Sequence, residues 1–357
     1  MKISYLTSRD FDDLYFFNKE VFPERSDIEE RFKFQILLNP LLLNKSQPQF
    51  LVAQSDHGEI VGQYGVNSLN YYFAGKCFPG LSGYDFIVSE KCRGKGVGSS
   101  LLKTVSQQHT PLFAIGVSEQ AKRVYHDFHF LGSMKTFIWL RTALSPLRMI
   151  VAVLSKDRFT LPEFSRAREN TFPESCTVRG KTFTRQKKVD STNQAWKEDV
   201  LEFSRSPDFL QWRFFTIPGY HLYLADKEKD STEKKNPVYF VIKELKWIGL
   251  RLLMIVDHRI NEDDDFSVVV AAVKRLASQL KMDGILTVSS HQFFDHELQK
   301  KLFFTLGKPF LVLSNQKFEF TQKKIERRQV LHLTPVDGDI EFAYRSLTTP
   351  VHKKPGL

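Results

Sequence analysis

The segment Val88-Ser89-Glu90-Lys91-Cys92-Arg93-Gly94-Lys95-Gly96-Val97-Gly98-Ser99-Ser100-Leu101-Leu102 constrains the fold more than any other stretch. An apolar run ends at Val88, glycines stand at 94, 96 and 98, and apolar residues then recur at helical spacing through Leu101, Leu102 and Val105. Such a chain has to leave a strand, turn tightly and enter a helix at once. The first amides of a helix have no intrahelical acceptor and carry the positive end of its dipole. Glycine lets backbone adopt positive φ and approach a ligand closely. The turn is therefore expected to grip a diphosphate, with Arg93 and Lys95 adding charge. Two other glycine-rich designs do not fit. A dinucleotide fold places its glycines after the first strand of a βαβ unit, with an acidic residue about 20 positions on, and a Walker loop ends in Gly-Lys-Ser/Thr, where this chain has Gly98-Ser99-Ser100.

Around this segment the first half alternates between strand and helix signals. Ile3–Leu6 reads as a strand, and Ser8-Arg9 opens a helix with Phe11, Leu14, Tyr15, Asn18 and Val21 at helical spacing. Asp27 and Glu30 form a capping-box pattern for a second helix that ends near Asn39-Pro40. Phe50–Ala53 and Val61–Phe73 read as strands joined by a turn at Asp56-His57-Gly58, and Leu81–Val88 as a third. After the glycine turn and its helix, Pro111–Val117 is a strand, Ser118 caps a helix, and Met134–Leu140 is a strand again. The order β-α-α-β-β-β-α-β-α-β implies an α+β domain with a mixed sheet over residues 1–140. Residues 141–207 read as a connecting segment with a helix and a hairpin. From 208 to 345 the order recurs: strands at Tyr220–Ala225, Val238–Leu245 and Ile248–Val256, a helix at Phe266–Leu280, a strand at Gly284–Ser289 and a helix at Phe293–Leu302. A duplicated, two-lobed fold follows.

Length supports that division, because 357 residues exceed what one core usually organises. The formal charge of +10 suits an anionic ligand, but acidic residues are interleaved with the basic ones, so charge does not mark a nucleic-acid binder. Cys77, Cys92 and Cys176 have no metal-ligand spacing, so no metal is expected and a reducing, cytoplasmic compartment is. The opening residues, with Arg9, Asp10, Asp12 and Asp13, are not expected to act as a secretory leader. The most apolar run, Met149–Leu154, is far short of a bilayer span, so no membrane insertion is expected.

Arg93-Gly94-Lys95-Gly96-Val97-Gly98 resembles the Arg/Gln-x-x-Gly-x-Gly/Ala signature of the GNAT acetyltransferases. Ala121-Lys122-Arg123-Val124-Tyr125-His126-Asp127-Phe128-His129-Phe130 is similar to that family's Ala-x-x-x-Tyr-x-x-x-Gly-Phe segment, and the two motifs stand at the family's usual separation. The resemblance covers residues 1–140. It implies that Val88, Arg93, Gly94, Lys95, Gly96, Val97, Gly98 and Ser99 line the diphosphate and pantetheine of acetyl-CoA or another acyl-CoA. It further implies that Tyr125 serves as general acid for the departing thiolate. The chain departs from the family at His129, where glycine is usual, at Ser118, where asparagine is frequent and a cofactor contact is expected, and at Glu90, where proline is common.

The implied reaction is attack of a primary amine, a small-molecule acceptor such as an amino sugar or sugar nucleotide, on an acyl thioester. The ammonium must first lose a proton, which makes Asp85 the first candidate base and Glu90 the second. Both carboxylates also read as ordinary surface groups, and Tyr125 as a half-buried helix residue. In the second half, Trp212-Arg213 and Asp337-Gly338-Asp339 resemble segments of two-lobed GNAT-like proteins of bacterial cell-envelope genes. Trp212 and Arg213 either shape an acceptor cleft or pack the second core. Asp337 and Asp339 either hold a ligand or form a capped loop. Asp257-His258-Arg259-Ile260-Asn261-Glu262-Asp263-Asp264-Asp265 lies where a second diphosphate loop would belong, without a glycine and with charge that repels phosphate. The second lobe is thus expected to wall the acceptor pocket or to form a homodimer surface. Two other classes stay open: a silent GNAT-like binding module, which would not need both the glycine turn and Tyr125, and an aminoacyl-tRNA-dependent peptide transferase, which would show a long helical arm.

Overall fold

Alternating apolar residues and turn glycines make the first half a sheet builder, and the elements follow the expected order. In the computed structural model these are β1 (Lys2–Tyr5), α1 (Phe11–Val21), α2 (Ile28–Phe32), β2 (Phe50–Gln54), β3 (Ile60–Phe73), β4 (Lys76–Val88), α3 (Val97–Ser106), β5 (Leu112–Ile115), α4 (Glu119–Asp127) and β6 (Leu131–Thr142). Next come α5 (Pro146–Ser155), the hairpin β7 (Ser175–Val178) and β8 (Lys181–Gln186), β9 (Leu201–Phe203) and α6 (Pro207–Phe215). The remainder is β10 (Tyr220–Ala225), β11 (Tyr239–Trp247), β12 (Leu250–Arg259), α7 (Asp263–Gln279), β13 (Gly284–Ser289), α8 (Gln292–Lys300), β14 (Phe304–Ser314), α9 (Gln322–Glu326) and β15 (Leu331–His332). The structure describes residues 1–23, 25, 27–42, 50–143, 146–155, 171–188, 196–226, 238–247, 249–315 and 322–338. Ile248, Asp339 and nearly all of the charged tract that joins β10 to β11 lie outside these residues.

Two compact units result. The first comprises Met1–Thr136, Lys197–Ser204 and Pro309–Leu331, the second Phe137–Trp196, Arg205–Lys308 and His332–Leu357. In the first, the strand order is β1-β2-β3-β4-β5-β14. There β4 and β5 pair parallel, and β14 pairs antiparallel with β5 at Val312↔Ile115. In the second, the order is β6-β13-β12-β11-β10-β8-β7, with β12 and β13 the parallel pair and β6 antiparallel to β13. The fold is thus built twice, and in each unit the strand beside the parallel pair comes from the other half of the sequence.

Side-chain alternation along the first sheet decides which helix covers which face. Leu51, Ala53, Tyr64 and Val66 pack beneath Val97, Leu101, Leu102 and Val105 of α3. Phe50, Val52 and Ile60 point the other way, onto Leu14 and Phe17 of α1. Burying each such large apolar side chain contributes about 1.5–3 kcal/mol. Asn18 turns inward because its amide exchanges two hydrogen bonds with Gln63, at 2.9 and 3.1 Å. Asp27 takes the N-cap position of α2, but its side chain makes no cap bond. His129 keeps the turn that glycine usually makes: it adopts φ 58°, while the Phe130 amide returns to the Tyr125 carbonyl at 3.2 Å and closes the end of α4.

The second unit is organised by a buried guanidinium. Arg205 donates through Nε and Nη2 to both oxygens of Asp257, at 3.0 and 3.1 Å, and through Nη2 to Asp337 at 2.7 Å. Tyr239 and Thr334 also donate to Asp257, at 2.9 and 2.7 Å. Burial alone would raise the Asp257 carboxyl, but Arg205 and Arg259 outweigh it and hold the group at about 2. Trp212 and Arg213 are buried in α6 and belong to this core.

Two outcomes are expected. Asp257→Asn should destabilise the second unit by about 3–5 kcal/mol in urea at neutral pH, because it leaves the buried Arg205 underpaired. Since the folded carboxyl titrates below the unfolded one, this contribution is complete above about pH 5, and the gap between wild type and variant narrows as the pH falls toward 2. A chain ending at residue 140 lacks the β14 partner of β5, and with it the bond from the Leu112 amide to Asn315 Oδ1 at 2.7 Å. It should elute as aggregate in size-exclusion chromatography, where the full chain does not.

Candidate functional site

The first unit contains a break in its sheet at the place the glycine segment occupies. β4 and β5 pair only at Leu81↔Leu112, Ser82↔Phe113 and Gly83↔Ala114. The pairing of β4 with β5 ends at Gly83↔Ala114, so the edge of β4 from Asp85 to Val88 faces an open wedge. The cause lies on the other edge of β4. Gln63 pairs with Ile87 and Gly65 with Tyr84, so Tyr64 alone opposes Asp85 and Phe86. This bulge bends β4, and Asp85 absorbs it with φ 44°. A left-handed non-glycine residue costs of order 1–3 kcal/mol and persists only where its surroundings fix it.

At the C-terminal mouth of the wedge stands the glycine turn. Gly94 and Gly96 have φ 76° and 79°, and a Cβ on either would meet nothing within 4 Å, so the turn presents bare backbone. Gly96 is the N-cap of α3 and offers no side chain to its first turn. The amides of Val97, Gly98 and Ser99 have no acceptor among the described residues. Val97 is buried under the sheet, a Cβ on Gly98 would meet Phe86 at 3.3 Å and Val88 at 3.7 Å, and Arg93 and Lys95 are exposed on the rim. Arg93 folds back on the turn, at 3.2 Å from Glu90 and 3.4 Å from the Val88 carbonyl. Ser118 caps α4 by accepting the Ala121 amide at 3.2 Å. The donor set and the open glycine backbone fit a diphosphate.

The three candidate catalytic residues are not brought to one point. Tyr125 is buried, its ring at 5.5 Å from Phe86 and 4.8 Å from Phe130, and its hydroxyl donates to Tyr64 Oη at 3.0 Å. Burial holds both phenols above their ordinary range. Asp85 lines a small pocket on the α1–α2 face whose polar residues are Asn18, Arg25, Arg31, Gln35 and Gln63, among apolar Ile28, Phe32, Ile36 and Phe50. Its Oδ1 accepts Arg25 Nη2 at 2.9 Å, and although burial opposes ionisation, Arg25 and Arg31 together lower its pKa. Glu90 is exposed on the turn and pairs with Arg93. Motif matching did not find Tyr64, Arg25 or Arg31. Only the alternation that sends Tyr64 to the same face as Val66 could have marked the first of them.

The second unit repeats the parallel pair, at Leu252↔Gly284, Leu253↔Ile285 and Met254↔Leu286, with a bulge one strand over between Val241 and Ile242. Its opening is closed by its own chain. Thr334 bonds Asp257 beyond the last pair on β12, and the Leu333 amide donates at 2.8 Å to Ser290, which follows β13. Its helix start is capped as well: Asp265 Oδ2 accepts the Asn261 and Glu262 amides at 3.0 and 3.1 Å. Asp337 is spent on Arg205 in a capped loop.

Residues 46–130 match the family model described as Acetyltransferase (GNAT) domain. No curated protein matches the sequence. Among solved structures, a GCN5-related N-acetyltransferase from Anabaena variabilis is similar with a TM-score of 0.56, at 12% identity over 88% of this chain and 72% of that one. The Saccharomyces cerevisiae N-myristoyltransferase, solved with myristoyl-CoA bound, is similar with a TM-score of 0.51, at 10% identity over 89% of this chain and 83% of that one. These likenesses concern the fold across nearly the whole length. The glycine turn, the parted parallel strands and the match to the GNAT acetyltransferase domain model all fall in the first unit of a fold that is built twice.

Proposed function

We propose that the protein is an acyl-CoA-dependent N-acyltransferase that acts on a primary amine and works through its first unit. The observation that carries this reading is the uncapped start of α3 at the mouth of the β4–β5 wedge. Three adjacent amides without a protein acceptor, beside glycines that leave the backbone bare, are donors ready for an anion. In the second unit the corresponding helix begins with Asp263, Asp264 and Asp265 and has no glycine turn, so it repels such an anion.

In this reading Gly94, Gly96, Val97, Gly98 and Ser99 hold the coenzyme diphosphate, with Arg93 and Lys95 adding charge and Ser118 contributing from α4. The β5-facing edge of Asp85–Val88 receives the pantetheine arm as an added strand would be received, and its amides polarise the thioester carbonyl. Acyl-CoA supplies an activated acyl carbon. Asp85, kept ionised by Arg25 and Arg31, attracts and orients the incoming ammonium. A carboxylate held this low is a weak proton acceptor at neutral pH, so the ammonium proton leaves through water. Glu90, exposed and paired with Arg93, serves the rim. Tyr125 protonates the departing thiolate.

No helix among the described residues is long and apolar enough to cross a membrane. Amino sugars and sugar nucleotides are the first acceptors to screen, and both short and long acyl chains belong in the test.

Calorimetric titration with acetyl-CoA and myristoyl-CoA should give saturable binding. Gly96→Ala should weaken it about tenfold, because a Cβ at φ 79° costs roughly 1–2 kcal/mol and displaces the amides. Binding of neither thioester would refute the proposal. In a thiol-release screen over primary amines, Asp85→Asn should lower kcat/KM for the best acceptor at least about tenfold. The loss should be uniform from pH 5 to 9, because Asp85 stays ionised throughout that range. A variant that instead shifts an acidic limb near neutrality would show Asp85 acting as the base.

A further inference from the structure

A buried phenol is a poor acid unless something stabilises the phenolate it leaves behind, and Tyr125 is fully enclosed. The one polar side chain in reach of its hydroxyl among the described residues is Tyr64 Oη, at 3.0 Å. Tyr64 itself has no exposed surface, so water does not substitute for it. Its ring is held by Phe86 at 4.8 Å, and Phe86 in turn touches Tyr125. The backbone makes room for this arrangement. A Cβ on Gly83 would overlap the Tyr64 hydroxyl oxygen, so that hydroxyl lies over the last paired residue of β4, at the apex of the wedge.

The geometry points to Tyr64 as a positioning residue that holds and acidifies Tyr125. It rests on the acyltransferase reading and adds to it a second hydroxyl that the family signature does not contain. At rest Tyr64 accepts the Tyr125 hydrogen bond, and its own hydroxyl proton has no acceptor among the described residues. As the amine nitrogen bonds to the acyl carbon, the carbon–sulfur bond breaks and the sulfur keeps the electron pair. Tyr125 passes its proton to that thiolate. The Tyr64 hydroxyl turns and donates to the new phenolate. The proton shed by the amine, carried through water, then restores Tyr125. Only two hydroxyl rotations are required, so the clamped rings need not move. The balance of effects on Tyr125 agrees: burial raises its pKa most, and the hydrogen bond from Tyr64 to its ionised form acts in the opposite direction.

The test uses the full chain, acetyl-CoA and the best amine from the thiol-release screen. Tyr64→Phe should leave acetyl-CoA affinity within about twofold and lower kcat by about 10- to 100-fold, the worth of one hydrogen bond to a charged group. The double variant with Tyr125→Phe should be no slower than Tyr125→Phe alone. Placing a more acidic fluorotyrosine at position 125 in the Tyr64→Phe background should regain part of kcat, which a packing role for Tyr64 would not allow. A Tyr64→Phe enzyme with kcat within about twofold of wild type, effects that multiply, or no recovery with fluorotyrosine would each overturn the assignment. Should Tyr64→Phe lose its cooperative melt, a fluorotyrosine at position 64 decides: the alkaline limb of kcat moves if Tyr64 tunes the acid and stays if it does not. A wild-type chain that binds acetyl-CoA but fails only these tests leaves the acyltransferase reading standing. One that neither binds acetyl-CoA nor releases thiol removes both.

Discussion

The site depends on the separation of β4 from β5 after the Gly83–Ala114 pair. A continuous parallel sheet would satisfy every backbone group along β4 and leave nothing to offer a ligand. The extra residue opposite Tyr64 turns β4 out of line, and Asp85 accepts a left-handed backbone to do so. That strained position serves two surfaces. It opens the wedge along one edge of the strand, and it delivers the Asp85 carboxylate into the arginine-lined pocket on the α1–α2 face. Strain of this kind survives because tightly packed side chains on both faces, Tyr64 and Phe86 on one and Tyr84 and Phe50 on the other, leave the strand no alternative path.

The two units show how one architecture gains or loses a binding site through local chemistry. Both have a parallel strand pair, three residues of pairing, an adjacent bulge and a helix that starts where the strands part. In the first unit that helix begins with glycines and no cap. In the second, Asp265 fills the cap, and Arg205, Thr334 and Asp337 draw the chain after β15 across β12 and β13. The Asp265 carboxylate occupies the amides leading into that helix, and its three first-turn aspartates oppose phosphate. The buried Arg205 network exchanges a ligand site for a fixed internal cross-link.

Much of this was legible from residue order. Runs rich in β-branched and aromatic residues marked β2 and β3, and helical spacing marked α1, α3 and α7, because each helix has to bury one face. The glycine turn was legible for a different reason: few residue types tolerate the backbone it needs. His129 shows the limit of that logic, since a non-glycine residue holds the same left-handed turn once the end of α4 closes around it. The capping box at Asp27 shows the converse, a local pattern whose side-chain bond does not form.

The sequence by itself determined the elements, their duplication and the bare glycine turn at the start of α3, because these depend on neighbours within a few positions along the chain. Tertiary structure alone decided that β6 and β14 each complete the sheet of the other half's unit, that Tyr64 meets Tyr125, and that Arg25 holds Asp85 ionised. Those contacts join residues 60 or more positions apart. Nothing local encodes them, and they exist only once the sheet order brings distant side chains to one face.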